Sequence, residues 1–154
     1  MALHQLYRTQ DLPIALEEAW DFFSAPDNLD AITPPDLSFQ ILSGGGQRMY
    51  QGQVITYRIS VLPGLHHHWV TEITTVRDRA YFIDEQRFGP YKFWHHQHHF
   101  EAIDGGTRMT DHLHYDVGKG WIGDIAHAFF VRDKVEQIFT FRQQQLARRF
   151  GQIQ

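Results

Sequence analysis

A long amphipathic segment near the C-terminus most constrains the fold of this chain. Between residues 121 and 150, apolar residues recur at helical spacing and form one stripe, which comprises Ile122, Ile125, Phe129, Val135, Ile138, Phe139, Leu146 and Phe150. A helix of this length extends about 40 Å, enough to cross a small domain. The remaining residues must therefore supply a long apolar surface that covers the stripe.

The preceding sequence alternates with a period of two, which is typical of strands. The predicted strands are 3–12, 37–41, 55–61, 69–75, 82–88, 91–103 and 108–117. Pro13 and Pro26 open two short helices after the first strand, and the Pro34-Pro35 pair ends the second helix. The sequence predicts an α+β fold, in which a curved antiparallel sheet of about seven strands wraps the C-terminal helix.

Composition limits the possible partners. The chain of 154 residues is 42% hydrophobic and 21% charged, so we expect a single domain over residues 1–154. Its net charge of -4 argues against nucleic acid. Without cysteine it has no disulfide and no thiolate chemistry. We find neither a signal peptide nor a run of ~20 apolar residues, and therefore expect a cytoplasmic protein without a membrane span.

Three stretches give the chain a recognisable pattern. They are Ala19-Trp20-Asp21-Phe22-Phe23 through Asn28-Leu29 to Thr33-Pro34-Pro35, then Trp69 with Thr71-Glu72-Ile73, and finally Asp84-Glu85-Gln86, Gly89-Pro90-Tyr91, Trp94, His96, His98, Phe100, Gly106-Thr107 and Asp111. The pattern resembles the START-like (SRPBCC) superfamily, in particular a bacterial subgroup of small ligand-binding proteins. The resemblance implies the helix-grip fold and a cavity between sheet and helix. Pollen-allergen-like proteins and polyketide cyclases share that superfamily.

Strand pairing predicts which side chains face this cavity. The Gly105-Gly106 pair predicts a two-residue turn that places Phe100 opposite Asp111. The inward residues of these two strands are then Trp94, His96, His98, Phe100, Asp111, Leu113, Tyr115 and Val117. We assign this set to the concave side because it is more apolar than the opposite set.

A second turn, at Asp78-Arg79, extends the inward face. It sets Trp69, Thr71, Ile73 and Thr75 beside Phe82, Asp84, Gln86 and Phe88. An odd-length loop at Gly89-Pro90 aligns Asp84 and Gln86 with His96 and Trp94, whereas an even-length loop inverts this face. We favour the odd length because it also keeps Phe82 and Phe88 inside. The candidate ligand-binding residues are Trp69, Thr71, Asp84, Gln86, Trp94, His96, His98, Phe100, Asp111, Leu113, Tyr115 and Phe129.

The buried polar residues in this set admit several functions. They can bond one another and specify strand register, or they can orient the polar end of a ligand. The leading hypothesis is a non-enzymatic binder or carrier of a small hydrophobic or amphipathic molecule. Two alternatives remain. The first is a cyclase, dehydratase or isomerase that needs no cofactor and uses a His-Asp pair. The second is a protein-interaction domain with a filled core. No catalytic residue is assigned.

The other histidines are expected to be solvated. The run from His95 to His99 divides between two faces of one strand, which argues against one large metal site. His95, His99, His112 and His114 are predicted to form an outward patch, and no metal or cofactor is expected. Arg142, Arg148 and Arg149 are interpreted as cations that complement the dipole of the C-terminal helix.

Overall fold

The computed structural model describes residues 3–62, 64–118 and 125–153, and the side chains within them except those of 61–62 and 125–129. The strands are β1 His4–Leu12, β2 Gln40–Ser43, β3 Val54–Leu62, β4 Leu65–Arg77, β5 Tyr81–Phe88, β6 Phe93–Ile103 and β7 Gly106–Asp116. The helices are α1 Leu16–Phe23 and α2 Ile125–Phe150, and two 3₁₀ turns span Pro26–Ile32 and Pro35–Leu37. The predicted α+β architecture is confirmed.

The seven strands form one antiparallel sheet in the order β1-β7-β6-β5-β4-β3-β2. Strands β2 to β7 follow one another as hairpins, and only β1 pairs with a strand distant in sequence. Helix α2 is fastened to β1, where Gln10 Nε2 donates to the Gln143 carbonyl at 2.9 Å and Arg8 pairs with Glu136. The predicted helix start at 121–124 lies outside the described residues.

The β6–β7 turn corrects the predicted register. Ile103 pairs with Gly106, so the two-residue loop is Asp104-Gly105 rather than Gly105-Gly106. Gly105 has a φ of 79°, which the turn requires. Gly106 is needed for a different reason, because a Cβ there would lie 2.0 Å from the Leu12 carbonyl oxygen. The pairing therefore shifts by two residues, which preserves the predicted faces but sets Asp111 opposite His98 instead of Phe100.

The β4–β5 hairpin also differs from the prediction. Its loop is one residue longer, Arg77 pairs with Tyr81, and Arg79 takes a φ of 55°. A bulge between Ile73 and Thr75 restores the expected pairing of Ile73 with Asp84, and a second bulge follows at Val70 and Thr71. These irregularities leave Phe82 buried and turn Phe88 to solvent, so the prediction that Phe88 lies inside was wrong.

The apolar core divides into two clusters. In the larger one, Trp20 of α1 packs its ring edge-on against Phe82 and Phe100. In the other, Leu113 and Tyr115 of β7 pack under Val135 and Phe139 of α2. Helix α1 contacts β6 and β7, and the second 3₁₀ turn contacts β3. This arrangement leaves a space between β3–β6 and the middle of α2.

Candidate functional site: a cavity with a histidine–carboxylate cluster

The space between sheet and helix is a cavity of about 170 Å³. Most of its wall is aliphatic or aromatic, from Phe23, Leu29, Leu37, Phe39, Met49, Ile55, Ile59, Ile73, Phe82, Tyr91, Trp94, Ile138 and Phe139. Its polar lining includes Tyr57, Trp69, Thr71, Asp84, His96, His98, Lys134 and Arg142. An engineered apolar cavity of about 150 Å³ binds benzene. The space is therefore sufficient for a molecule of roughly one or two rings.

Alternation along three adjacent strands brings two histidines and two carboxylates together. His96 and His98 are two residues apart on β6 and project from the same face, with their ring centroids 3.7 Å apart. Register sets Asp84 of β5 opposite His96, and Asp111 of β7 opposite His98. The prediction that Asp84 aligns with His96 is confirmed. We call these four residues the His–Asp cluster.

Hydrogen bonds in the His–Asp cluster run diagonally across the strands. His98 Nε2 donates to Asp84 Oδ2 at 2.7 Å, and His96 Nε2 donates to Asp111 Oδ1 at 2.9 Å. Each imidazole thus bonds the carboxylate that lies opposite the other histidine. His98 Nδ1 is 3.3 Å from Asp111 Oδ1, but it makes no hydrogen bond. Both rings are buried, against Phe82 on one side and Phe139 on the other.

Burial and charge separate the protonation of the two histidines. Burial, together with the neighbouring His98, lowers the pKa of His96 to about 4. Burial opposes charge on His98 too, but its contacts with Asp111 and Asp84 outweigh this and raise the pKa of His98. Although burial alone would raise the pKa of both carboxyls, His98 lowers that of Asp84, and Arg142 with the two histidines lowers that of Asp111 further.

Arg142 completes the charge balance of the cluster. Its Nη1 is 3.8 Å from Asp111 Oδ1, and its guanidinium lies over the rings of Phe23 and Phe139. The side chain is buried against the sheet, so the interpretation of Arg142 as a cation that complements the helix dipole was wrong. Arg142 lies two turns before the helix end, where the sheet supplies a carboxylate for it. Arg148 and Arg149 do lie in the last turn.

Two further polar groups lie on the cavity wall. Tyr57 Oη donates to Thr71 Oγ1 at 2.5 Å, which satisfies both hydroxyl groups across β3 and β4. Burial, with the nearby charge of Asp84, raises the pKa of Tyr57, so this group stays protonated. The Nε1–H of Trp69 is buried and has no hydrogen-bond partner among the described residues. Buried donors are normally paired, and the Nε1–H of Trp20 in the core likewise has no partner among the described residues.

The structure brings half of the candidate binding residues to the cavity wall. Among the described residues, the predicted ones that line it are Trp69, Thr71, Asp84, Trp94, His96 and His98. Asp111 is not part of the cavity wall, but it contacts three residues that are, His96, His98 and Arg142. Phe100, Leu113 and Tyr115 belong to the core clusters instead. The Gln86 amide closes the β5–β6 loop by bonding both backbone groups of Tyr91. The side chain of Phe129 is outside the described part of the structure.

Sequence reasoning missed the lining residues that other elements contribute. Alternation along β3 places Ile55, Tyr57 and Ile59 on the cavity side, and this signal was present in the sequence. Phe39 and Tyr91 were included in the predicted strands 37–41 and 91–103, but β2 begins at Gln40 and β6 at Phe93, so strand alternation does not bring either residue to the cavity. Tyr91 packs on Trp69 and Trp94, with ring centroids 5.4 and 4.7 Å away.

The remaining histidines of β6 and β7 project from the opposite face, as predicted. His95 Nδ1 is 2.7 Å from Glu85 Oε1, and His99 Nε2 is 2.9 Å from Gln97 Oε1. The rings of His112 and His114 lie 4.4 Å apart. All four are partly exposed. Partial burial and neighbouring histidines lower the pKa of His99 and His114.

Comparison with known proteins places this geometry in a family. A family model described as polyketide cyclase / dehydrase and lipid transport matches residues 4–151. The chain belongs to this family. Its membership confirms the START-like resemblance that the sequence motifs carried. None of the curated proteins matches the chain.

Several solved structures have the same fold as this family member, although their sequence identity to it is low. The Zhui aromatase/cyclase from Streptomyces sp. R1128 has a TM-score of 0.74 and 14% identity, over 94% of this chain and 92% of that one. A protein from Chromobacterium violaceum has a TM-score of 0.69 and 12% identity, over 99% and 100%. Ginseng major latex-like protein 151 from Panax ginseng has a TM-score of 0.61 and 13% identity, over 92% and 96%.

None of the helices in the described part of this family member is long and apolar enough to cross a membrane.

Proposed function

We propose that this protein binds one small, mostly apolar molecule with a polar end, in the cavity between the sheet and α2. The observation that carries the proposal is the contrast within the cavity wall. Aromatic and aliphatic side chains form most of it, while Asp84, His96 and His98 form one polar part. Ligand sites in proteins commonly combine an apolar wall with a few convergent polar groups.

Two further observations favour an occupant over a purely structural polar cluster. The unpartnered Nε1–H of Trp69 supplies a donor that a ligand oxygen would satisfy. The family description includes lipid transport, and one structural neighbour is named an aromatase/cyclase. The protein-interaction alternative expected a filled core, whereas this fold contains a cavity of about 170 Å³. We therefore favour a binder or carrier.

Native mass spectrometry before and after denaturation tests this proposal. We expect a discrete excess mass on the folded protein that disappears on denaturation, with a value that identifies an organic molecule. If the folded protein carries no excess mass, titration with 2-naphthol, an apolar molecule with one hydroxyl group, decides the question. Binding should shift the indole N–H resonance of Trp69, which lines the cavity, and leave that of Trp20 unchanged. The absence of any shift would contradict the proposal.

A matched pair of variants locates the binding site. Ile59 lines the cavity, whereas Ile103 lies at the β6–β7 hairpin end. Ile59→Phe should reduce 2-naphthol affinity at least 10-fold because the ring occupies the same space. Ile103→Phe adds the same volume elsewhere and should leave the affinity unchanged. Equal effects of the two variants would place the binding site outside the cavity.

A second candidate function is a cyclase- or dehydratase-type enzyme. The observation that favours it is the direct contact of both histidines of the cavity wall with carboxylates, at 2.7 and 2.9 Å. A histidine held in one orientation by a carboxylate is a common proton-transfer group. Turnover of an aromatic polyketone that is lost in His98→Asn but retained in His99→Asn, on the opposite face, would support this function. Binding without turnover supports the carrier.

A further inference from the structure

Three side chains of the cavity wall meet the requirements of a metal site. Asp84, His96 and His98 each bring one donor atom within 4.8 Å of the others. The Asp84 Oδ2 atom is 2.7 Å from His98 Nε2 and 3.6 Å from His96 Nδ1. Donor atoms that share a tetrahedral zinc ion at ~2.0–2.2 Å lie ~3.3–3.5 Å from one another. The His96–Asp84 distance already matches this geometry, whereas Asp84 and His98 must separate from their hydrogen-bond distance to share an ion.

Asp111 supplies the outer partner that histidine ligands of metals usually have. Its Oδ1 is 2.9 Å from His96 Nε2 and 3.3 Å from His98 Nδ1, the two ring nitrogens that face away from Asp84. A carboxylate that accepts from the far nitrogen fixes the tautomer and leaves the near nitrogen free to coordinate. In this structure Asp111 bonds only His96, and its distance of 3.3 Å from His98 Nδ1 places it to orient the second imidazole as well. His98 Nδ1, which is now buried without a hydrogen bond, would donate to Asp111 when a metal ion is bound.

The three ligand residues also line the cavity, which gives an ion an entry path and an open coordination position. Two histidines and one carboxylate leave at least one position for water or for a ligand atom, as in catalytic zinc sites and facial-triad iron sites. With a dication bound and both histidines neutral, the positive charges of the ion and of Arg142 exceed the two negative charges of Asp84 and Asp111. An anionic oxygen, such as a phenolate, enolate or carboxylate, therefore suits the open position.

From this geometry we propose that Asp84, His96 and His98 bind one divalent first-row transition metal ion, such as Zn²⁺, at the polar end of the cavity. Asp111 orients the two imidazoles, and the open position faces the cavity. No metal was expected from the sequence, because the histidines of β6 divide between two faces. In the structure, β5 adds the Asp84 carboxylate to the two inward histidines. Metal binding here is independent of any organic ligand.

Titration with Co²⁺ and Zn²⁺ tests this site. The full chain, without an affinity tag, is treated with a chelator, dialysed and titrated with Co²⁺, whose visible spectrum reports the coordination. We expect one ion per chain, with absorption typical of four or five ligands, and displacement by Zn²⁺. Asp84→Asn should weaken binding more than ~100-fold, and Asp111→Asn about 10–100-fold, the usual loss for an outer partner.

The outward histidines provide the control. A double variant, His99→Gln with His112→Gln, should bind Co²⁺ as tightly as the unchanged chain, because both residues lie on the opposite face of the sheet. Binding that is lost in this variant and retained in Asp84→Asn would overturn the proposal, as would the absence of stoichiometric binding. If Asp84→Asn does not fold, crystals of the unchanged chain grown with Zn²⁺ decide, by the presence or absence of an anomalous peak between Asp84, His96 and His98.

Discussion

Asp111 is the residue on which the polar end of the cavity depends. Its carboxylate contacts His96, His98 and Arg142, and all four side chains are buried. A charge in this environment is tolerated because its partners compensate the lost hydration. Removing one partner leaves the others buried without compensation. The cluster therefore contributes to stability only as a complete set.

We expect Asp111→Ala to lower the free energy of unfolding by about 3–5 kcal/mol, the usual cost of breaking a buried ion pair. Asp11→Ala is the matched control, since Asp11 on the neighbouring strand also pairs with an arginine, Arg108, but at an exposed position. This control should show no resolvable change. Urea unfolding of both variants measures the difference. Equal stability of the two variants would show that the buried cluster is not coupled.

At the scale of the elements, hairpin details decide which side chains reach the cavity. Two bulges in β4 and a two-residue turn at Asp104-Gly105 set Ile73 opposite Asp84 and His98 opposite Asp111. A slip of one residue in any of these strands would turn the cluster to the opposite face. The close approach of β7 to the end of β1 holds this register, because Gly106 lies under the Leu12 carbonyl and Thr107 Oγ1 donates to the Ile14 carbonyl at 2.9 Å.

Gly106→Ala should therefore destabilise the protein by more than about 1 kcal/mol, because the new Cβ clashes with the backbone of β1. Gly105→Asn should cost less, since asparagine readily adopts the positive φ of this turn and nothing lies within 4 Å of the added atom. Thermal unfolding of both variants gives the comparison. A larger loss for Gly105→Asn would show that the turn, and not the β1 contact, determines the register.

An ion pair links helix α2 to the second 3₁₀ turn. Lys134 lines the cavity, and its Nζ donates to Asp36 of the second 3₁₀ turn at 2.6 Å. We expect Asp36→Asn to accelerate the dissociation of 2-naphthol several-fold, because the turn and the helix separate more easily. Stability should change little, as exposed ion pairs contribute about 0–1 kcal/mol. Stopped-flow kinetics measures the rate, and Asp30→Asn, on the preceding 3₁₀ turn, serves as the control.

At the scale of the whole molecule, the sheet and α2 enclose a space instead of packing fully. Protein interiors are usually close-packed, so a cavity of about 170 Å³ represents lost contacts between the larger core cluster and the helix. A molecule that fills this space restores those contacts. Binding and folding stability are consequently linked.

A saturating cavity ligand should raise the free energy of unfolding by about 2.7 kcal/mol at a concentration of 100 Kd. The gain should be absent in Ile59→Phe, where the cavity is filled, and retained in Ile103→Phe. Calorimetric unfolding with and without 2-naphthol provides the measurement. An equal gain in both variants would indicate a ligand site elsewhere on the molecule.

The fold and part of the site follow from the sequence alone. Period-two alternation in β3 to β7 and the helical stripe in α2 depend only on where apolar residues recur, and these patterns persist whatever the neighbours are. Alternation also identified the inward set of Trp94, His96 and His98, because faces are conserved when register shifts by two. Local patterns were therefore sufficient to predict the architecture and which residues of each strand face inward.

Tertiary structure decided the partners of those side chains. The Gly105-Gly106 pair read as one turn, yet only Gly105 serves the turn, and Gly106 is required by a strand 94 positions earlier in the chain. Likewise, the sequence places Arg142 among the cations near the end of α2, and only the folded sheet brings Asp111 to within 3.8 Å of it. Bulges, long-range contacts and charge pairing depend on several elements at once. The diagonal His–Asp bonds, the cavity and the metal geometry arise only when these elements pack together.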